Sequence, residues 1–178
     1  MKKILRIIVA LVLLALVIQS LYPQKMKLEV GDKVPLFKSV DQNGNDFEIK
    51  DLIGKKAMVI YFYPKDDTPG CTKEACSFRD EYETFTDLNV EVIGISADDV
   101  ASHKKFAQKY NLPFTLLSDS DLKIRKMFDV KSTLLGILPG RVTYVIDKKG
   151  IVRLIFKKQF GAEKHITESL IILKEINK

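Results

Sequence analysis

The chain has no tryptophan, two cysteines and two histidines in 178 residues. Two cysteines cannot staple a domain of this length, which excludes a disulfide scaffold. His103 and His165 stand far apart in sequence and neither lies beside a cysteine, so a zinc site of Cys and His ligands lacks half its donors. Acid is missing from residues 1–25, where Lys2, Lys3, Arg6 and Lys25 hold most of the formal charge of +6. Residues 26–178 are therefore close to neutral, with acids interspersed, and carry no nucleic-acid footprint. Repeats, low-complexity tracts and internal linkers are also absent. What is present, 46% hydrophobic and 29% charged residues, suits one compact domain with a core of its own.

The N-terminus reads separately. Lys2, Lys3 and Arg6 precede Ile7 to Ile18, an apolar run without a polar residue. A basic start and about 12 apolar residues have the proportions of a secretory signal. Extended through Tyr22, residues 4–22 form a short candidate membrane anchor, since a span takes roughly 17–25 residues. No clear cleavage site follows, although Ser20 could occupy the last position before a cut, and both fates, cleaved signal and membrane attachment, stay open. In either case the basic end stays in the cytoplasm and the domain crosses the membrane. Translation from Met26 would instead give a cytosolic protein with the domain intact. The expected division is thus 1–25, signal or anchor, and 26–178, the folded domain.

Leu36 to Val40 and Phe47 to Ile49 flank a turn cluster containing Asn43-Gly44, a hairpin signal. Ala57 to Tyr63 is a continuous apolar run, as in a buried central strand. Helix is expected from about Pro69 to Phe85, strand over Val90 to Ser96, helix over Val100 to Tyr110, strand over Phe114 to Leu117 and a short helix over Leu122 to Phe128. A hairpin follows over Val142 to Ile146 and Ile151 to Phe156. A last helix, Glu163 to Ile176, places Ile166, Leu170, Ile171 and Leu173 on or near one face. Strands alternating with helices predict an α/β fold of three layers, with chemistry where a central strand gives way to a helix.

Cys71 sits at that junction. Thr68 and Pro69 read as N-cap and first helical residue, which puts Cys71 in the first turn. The unpaired N–H groups and partial positive charge of a helix start favour a thiolate, the form that attacks. One helix terminus does not suffice, so a cation is expected nearby. Cys76 lies five residues on. On an ideal helix that is about 140° of rotation and roughly 7.5 Å of rise, a Cα separation of about 8.7 Å. A disulfide needs about 7 Å or less. The two pair only if the first turns unwind, and so short a loop stabilises little. A redox cycle explains such a pair better than a static staple.

The segment FYPKDDTPGCTKEACSFRD resembles the active site of the peroxiredoxins, whose Pro-x-x-x-Thr/Ser-x-x-Cys motif is filled by Pro64, Thr68 and Cys71. A cysteine five residues on marks the bacterioferritin comigratory protein, or peroxiredoxin Q, subgroup. The likeness continues through GISADDVASHKKFAQKYNLPFTLLSD and LPGRVTYVIDKKG to QFGAEKHI. It implies a thioredoxin-like three-layer fold with a central mixed β-sheet flanked by helices, and a thiol peroxidase acting on hydrogen peroxide and organic hydroperoxides. By the same resemblance Cys71 is the attacking sulfur and Cys76 the resolving one. Arg141 is the missing cation, Thr68 offers its hydroxyl, and Pro64 shields the sulfur. The disulfide is recycled by thioredoxin or a similar dithiol, without metal or other cofactor, in a monomer. With the N-terminal segment, this makes the protein extracytoplasmic, in the thylakoid lumen if it comes from a plastid or cyanobacterium.

Two other readings compete with this one. A thioredoxin-type oxidoreductase needs Cys-x-x-Cys, but Glu74 occupies that position. A non-catalytic redox sensor or holdase would use the same disulfide as a switch and predicts stoichiometric oxidation in place of turnover. His103 and His165 fall outside the motif and are expected to be ordinary surface or core residues.

Overall fold

The computed structural model describes residues 27–132 and 138–176. The N-terminal hydrophobic segment, with its expected cleavage or anchoring, lies outside the described residues, among which no helix is long and apolar enough to cross a membrane.

Among the described residues, seven strands and five α-helices follow in chain order. Strands β1 (Lys38–Val40) and β2 (Asp46–Glu48) pair antiparallel around the Asn43-Gly44 turn and lead into a 3-10 turn at Ile49–Asp51. Next come β3 (Ala57–Phe62), α1 (Pro69–Asp80), α2 (Tyr82–Asp87), β4 (Val90–Ser96), α3 (Val100–Tyr110), β5 (Thr115–Ser118) and α4 (Lys123–Met127). β6 (Val142–Ile146), β7 (Val152–Lys157) and α5 (Glu163–Ile176) complete the domain. The main sheet has the order β5-β4-β3-β6-β7. β3, β4 and β5 run parallel, while β6 and β7 are antiparallel to their neighbours, so the sheet is mixed.

β3 is central because every residue in it is apolar enough to be covered on both faces, and all six are buried. The pleat sends Val59 and Tyr61 to a cluster with Phe78 of α1, Phe85 of α2, Phe106 of α3 and Ile166 and Leu173 of α5. It sends Met58, Ile60 and Phe62 to the opposite cluster, with Ile124, Phe128 and Tyr144. Helices thus cover both faces and give the expected three layers. Gly94 lies opposite Tyr61 in the β3–β4 register, and a Cβ there would come within 2.7 Å of the Tyr61 ring. The missing side chain leaves room for Tyr61 to stack on Phe78, with ring centroids 4.6 Å apart.

Two expectations need correction. The helix expected over Pro69–Phe85 is interrupted at Glu81, which lies outside helical geometry and separates α1 from α2. On α5, Ile171 is exposed, and the buried face is instead formed by His165, Ile166, Ser169 and Leu173. The 165, 166, 169, 173 spacing is an equally good helical stripe, but two of its members are polar.

Candidate active site

The chain leaves β3 at Tyr63, bends at the half-buried Pro64, and reaches α1 through an exposed turn in which Asp67 takes a left-handed conformation. Asp66 pins this turn from beneath. Its carboxylate accepts hydrogen bonds from the Tyr63 hydroxyl at 2.8 Å, the Ser102 hydroxyl at 2.8 Å and His103 Nδ1 at 2.9 Å. Its N–H donates to Asp98 at 2.9 Å. His103 is therefore a core residue with a defined task, holding the loop that feeds the cysteine helix. Its Nε2 faces the Leu117 carbonyl at 3.2 Å.

Thr68 has the extended backbone of an N-cap, with φ −84° and ψ 146°, and Pro69 begins the helix as expected. The Thr68 side chain, however, does not cap. Its hydroxyl donates back to the Lys65 carbonyl at 3.0 Å. That bond uses the hydroxyl proton and leaves the oxygen's lone pairs unclaimed. The N–H groups of the first turn are likewise not taken by a cap.

Cys71 is buried in that first turn, and Cys76 is half-buried on the same unbroken helix. Both are free thiols, as the helical separation requires. Arg141, expected at the head of β6, is there and is 5% exposed rather than solvated. Its Nη2 donates to Cys71 Sγ at 3.2 Å. Nε donates to the Gln159 carbonyl at 3.2 Å, and the Arg141 main-chain N–H donates to the Gln159 side chain at 3.2 Å. A cation seventy residues away in sequence has been delivered to the sulfur by pairing β6 directly beside β3.

Four residues that sequence reasoning missed complete the site. Glu74, fully buried, accepts from Arg141 Nη1. Burial pushes its carboxyl up to about 8, against the pull of Arg141. His165 of α5 donates from Nε2 to the Lys158 carbonyl at 2.8 Å, which leaves Nδ1 to accept from the Thr143 hydroxyl at 2.7 Å. Burial lowers His165 to about 4, assisted by the nearby Arg141 charge, so its imidazole is neutral. Its 3.7 Å approach to Glu74 Oε1 is therefore not an ion pair. Arg125, buried, donates to the Gly140 carbonyl and to the Tyr63 carbonyl, both at 3.0 Å. It ties the strand end that precedes Cys71 to the residue that precedes Arg141. One signal for Glu74 was available: Cys71, Glu74, Ala75 and Phe78 form an i, i+3, i+4, i+7 stripe, so a carboxylate was already on the buried face.

A cavity of about 290 Å³ opens beside Arg141, lined by Gly140, Val142 and Gln159 with Lys131, Lys157 and Lys158 at its rim. A larger one of about 760 Å³, between Leu36–Val40 and Ser118–Ile124, contains neither cysteine nor Arg141. Among the described residues no cluster of His, Cys, Asp or Glu could hold a metal ion.

A buried cysteine at a helix start, fixed against a buried arginine with a second cysteine one and a half turns on, is an arrangement with known relatives. The AhpC/TSA family profile matches residues 30–155. The chain belongs to that family, the peroxiredoxins. It is 54% identical over 150 residues to the chloroplastic peroxiredoxin Q of Populus jackii, covering 84% of this chain and 70% of the relative. It is 56% identical over 148 residues to that of Arabidopsis thaliana, covering 83% and 68%. Among solved structures, peroxidoxin BcpB of Mycobacterium tuberculosis superposes with a TM-score of 0.77 at 36% identity, over 84% of this chain and 98% of that one. Peroxiredoxin Q of Xylella fastidiosa gives 0.77 at 29% identity, over 85% and 98%. The fold is that of a peroxiredoxin, and the chain is a peroxidase of the Q type. It reduces hydrogen peroxide and organic hydroperoxides to water and alcohols by thiol chemistry, with a thioredoxin-type dithiol as reductant.

Proposed function

We propose that Cys71 is the peroxidatic sulfur of this peroxiredoxin and Cys76 its intramolecular resolving partner. The observation that carries this reading is the Arg141 guanidinium donating to Cys71 Sγ in the first turn of α1. The guanidinium holds the sulfur as a thiolate and presents fixed donors to an incoming peroxide. Cys71 attacks the terminal peroxide oxygen, an S–O bond forms as the O–O bond breaks, the other oxygen leaves with a proton as water or an alcohol, and the sulfur becomes a sulfenic acid. Thr68, its lone pairs unclaimed, accepts a hydrogen bond from the peroxide O–H, and Pro64 at the loop bend keeps water from the sulfur. The first turns of α1 then unwind. Cys76 condenses with the sulfenic acid, releases water and forms the disulfide, which an external dithiol reduces by exchange.

We further propose that the peroxiredoxin domain, residues 26–178, acts as a monomer, since its resolving cysteine lies in the same chain. Residues 4–22 attach it to a membrane or are removed during export, which places the domain across the membrane from the basic N-terminus. The relatives named for chloroplasts support a plastid compartment, with the thylakoid lumen as the extracytoplasmic side.

Peroxide turnover by the full-length chain, coupled to thioredoxin, its reductase and NADPH, tests the site. Wild type turns over, Cys71→Ser is inactive, and Cys76→Ser reduces one equivalent and then stalls. Activity surviving in Cys71→Ser would overturn the assignment. One-equivalent consumption by wild type with every dithiol supplied would favour the sensor reading.

A further inference from the structure

Three ionisable groups meet in the buried interior at Cys71, and their charges do not balance. Arg141 reaches Cys71 Sγ with one amino group and Glu74 with the other. Glu74 is fully buried, and its Oε1 has no hydrogen-bond partner among the described residues. A buried carboxylate with an empty oxygen is costly, whereas a carboxylic acid needs a free oxygen for its proton. The groups packed against Glu74 are Cys71 on α1, Arg141 before β6, His165 on α5 and Tyr61 on β3. His165 presents a neutral imidazole, its Nδ1 lone pair 3.7 Å from Oε1 and shared with Thr143. Tyr61 is a buried phenol that titrates well above its ordinary range, because burial disfavours its charge. Only Arg141 in this set carries a fixed charge. One cation cannot neutralise two buried anions.

We infer that Glu74 and Cys71 share a single proton across Arg141: when the sulfur is a thiolate, Glu74 is a neutral acid with its proton on Oε1 beside His165, and when the sulfur loses its charge, Glu74 ionises. The inference rests on Cys71 being the attacking sulfur. The high position of the Glu74 carboxyl agrees with it.

The peroxide step then has its proton source inside the site. The thiolate sulfur is oxidised by two electrons and the peroxide is reduced by two. The leaving hydroxide or alkoxide takes the proton that Glu74 releases and departs as water or alcohol. Glu74 is left as the carboxylate that pairs with Arg141, whose charge the neutral sulfenic acid no longer claims. Reduction of the disulfide restores the thiolate and draws a proton back to Glu74. Glu74 is a positioning residue in this scheme, acting through Arg141 and the shared proton. His165 borders Oε1 at 3.7 Å, beyond hydrogen-bond reach, so the carboxyl proton is not fixed to a partner there.

Infrared difference spectroscopy tests this on the full-length chain with Cys76→Ser, which stops at the sulfenic acid. At pH 7 the reduced protein should show the carbonyl stretch of a protonated carboxylic acid, and one equivalent of hydrogen peroxide should abolish it. Glu74→Gln should lack that band in both states. Its thiolate absorbance should rise with pH in one step, whereas the protein with Glu74 rises in two, as coupled acids do. A dimedone adduct on Cys71 confirms that the sulfenic acid formed. An adduct without loss of the band overturns the shared proton and leaves the assignment of Cys71 intact, whereas no adduct on Cys71 overturns both. Should Glu74→Gln fail to fold, the difference spectrum of the protein with Glu74 still decides.

Discussion

Among the groups through which acid should destabilise this domain, His165 can be isolated by one substitution. In the folded state its imidazole is buried, edge-on to Phe156 with ring centroids 4.8 Å apart, and sits near the charge of Arg141. Burial makes a charged ring costly, and a second ring proton would also add a cation beside Arg141. These costs lower the group from 6.5 to about 4. Unfolded, it titrates at its ordinary value, so between those limits the unfolded chain binds the extra proton and the folded one does not. Stability from burying neutral His165 is therefore full above pH 6.5 and is lost as the pH falls toward 4. At about 1.4 kcal/mol per unit the loss approaches roughly 3 kcal/mol, a large part of the ~5–15 kcal/mol of a typical domain. His165→Gln keeps a donor for the Lys158 carbonyl but takes up no proton. The assay is urea unfolding of the reduced protein followed by circular dichroism, because the chain has no tryptophan to report by fluorescence. Comparing the two proteins at each pH cancels the carboxylates that titrate in both. The stability difference between wild type and His165→Gln should shrink by about 3 kcal/mol from pH 7 to pH 4. A difference that stays constant over that range, or that grows, would refute the neutral, buried imidazole.

Three further outcomes follow from other parts of the site. Arg141→Met should slow single-turnover peroxide reduction about 10²–10³-fold, the scale for losing one preorganised donor, while the protein still folds by circular dichroism. Gly94→Ala places a Cβ against the Tyr61 ring, and chemical denaturation should show a loss of about 1–3 kcal/mol as the aromatic stack shifts. Arg125→Met strips donors from the buried Tyr63 and Gly140 carbonyls; it should cost about 2–4 kcal/mol in the same assay.

The sequence was most informative where local chemistry and topology agree. The apolar run of β3, the Thr68-Pro69 start of α1 and the first-turn position of Cys71 are all local, and each stands in the structure. Arg141 was found only because a motif marks it. Its guanidinium is buried, while an arginine at a strand head is ordinarily solvated, and nothing local distinguishes the two. Glu74, Thr143, His165 and Arg125 escaped notice for the same reason. Each is polar, each finds its main partner far along the chain, and its burial depends on sheet order β3-β6 and on how α5 folds back over the sheet. Glu74 and His165 did leave a trace as polar residues on the apolar stripes of α1 and α5. A polar side chain on a buried stripe is a sign that an unseen partner faces it. His103 left a weaker trace: it lies near one face of α3 with Phe106 and Ala107, and the Asp66 it holds is 37 residues away.

Trypsin offers the most direct test of the central claim, that Cys71 is oxidised by peroxide and resolved by Cys76 within one chain. Cleavage after Lys65, Lys73 and Arg79 separates the two cysteines into peptides 66–73 and 74–79. After one equivalent of hydrogen peroxide and alkylation of free thiols, mass spectrometry should find these peptides joined by a disulfide, from protein that stays monomeric on a non-reducing gel. Cys76 recovered as a free, alkylated thiol beside an over-oxidised Cys71, or either peptide joined to its own copy from a second chain, would contradict the account.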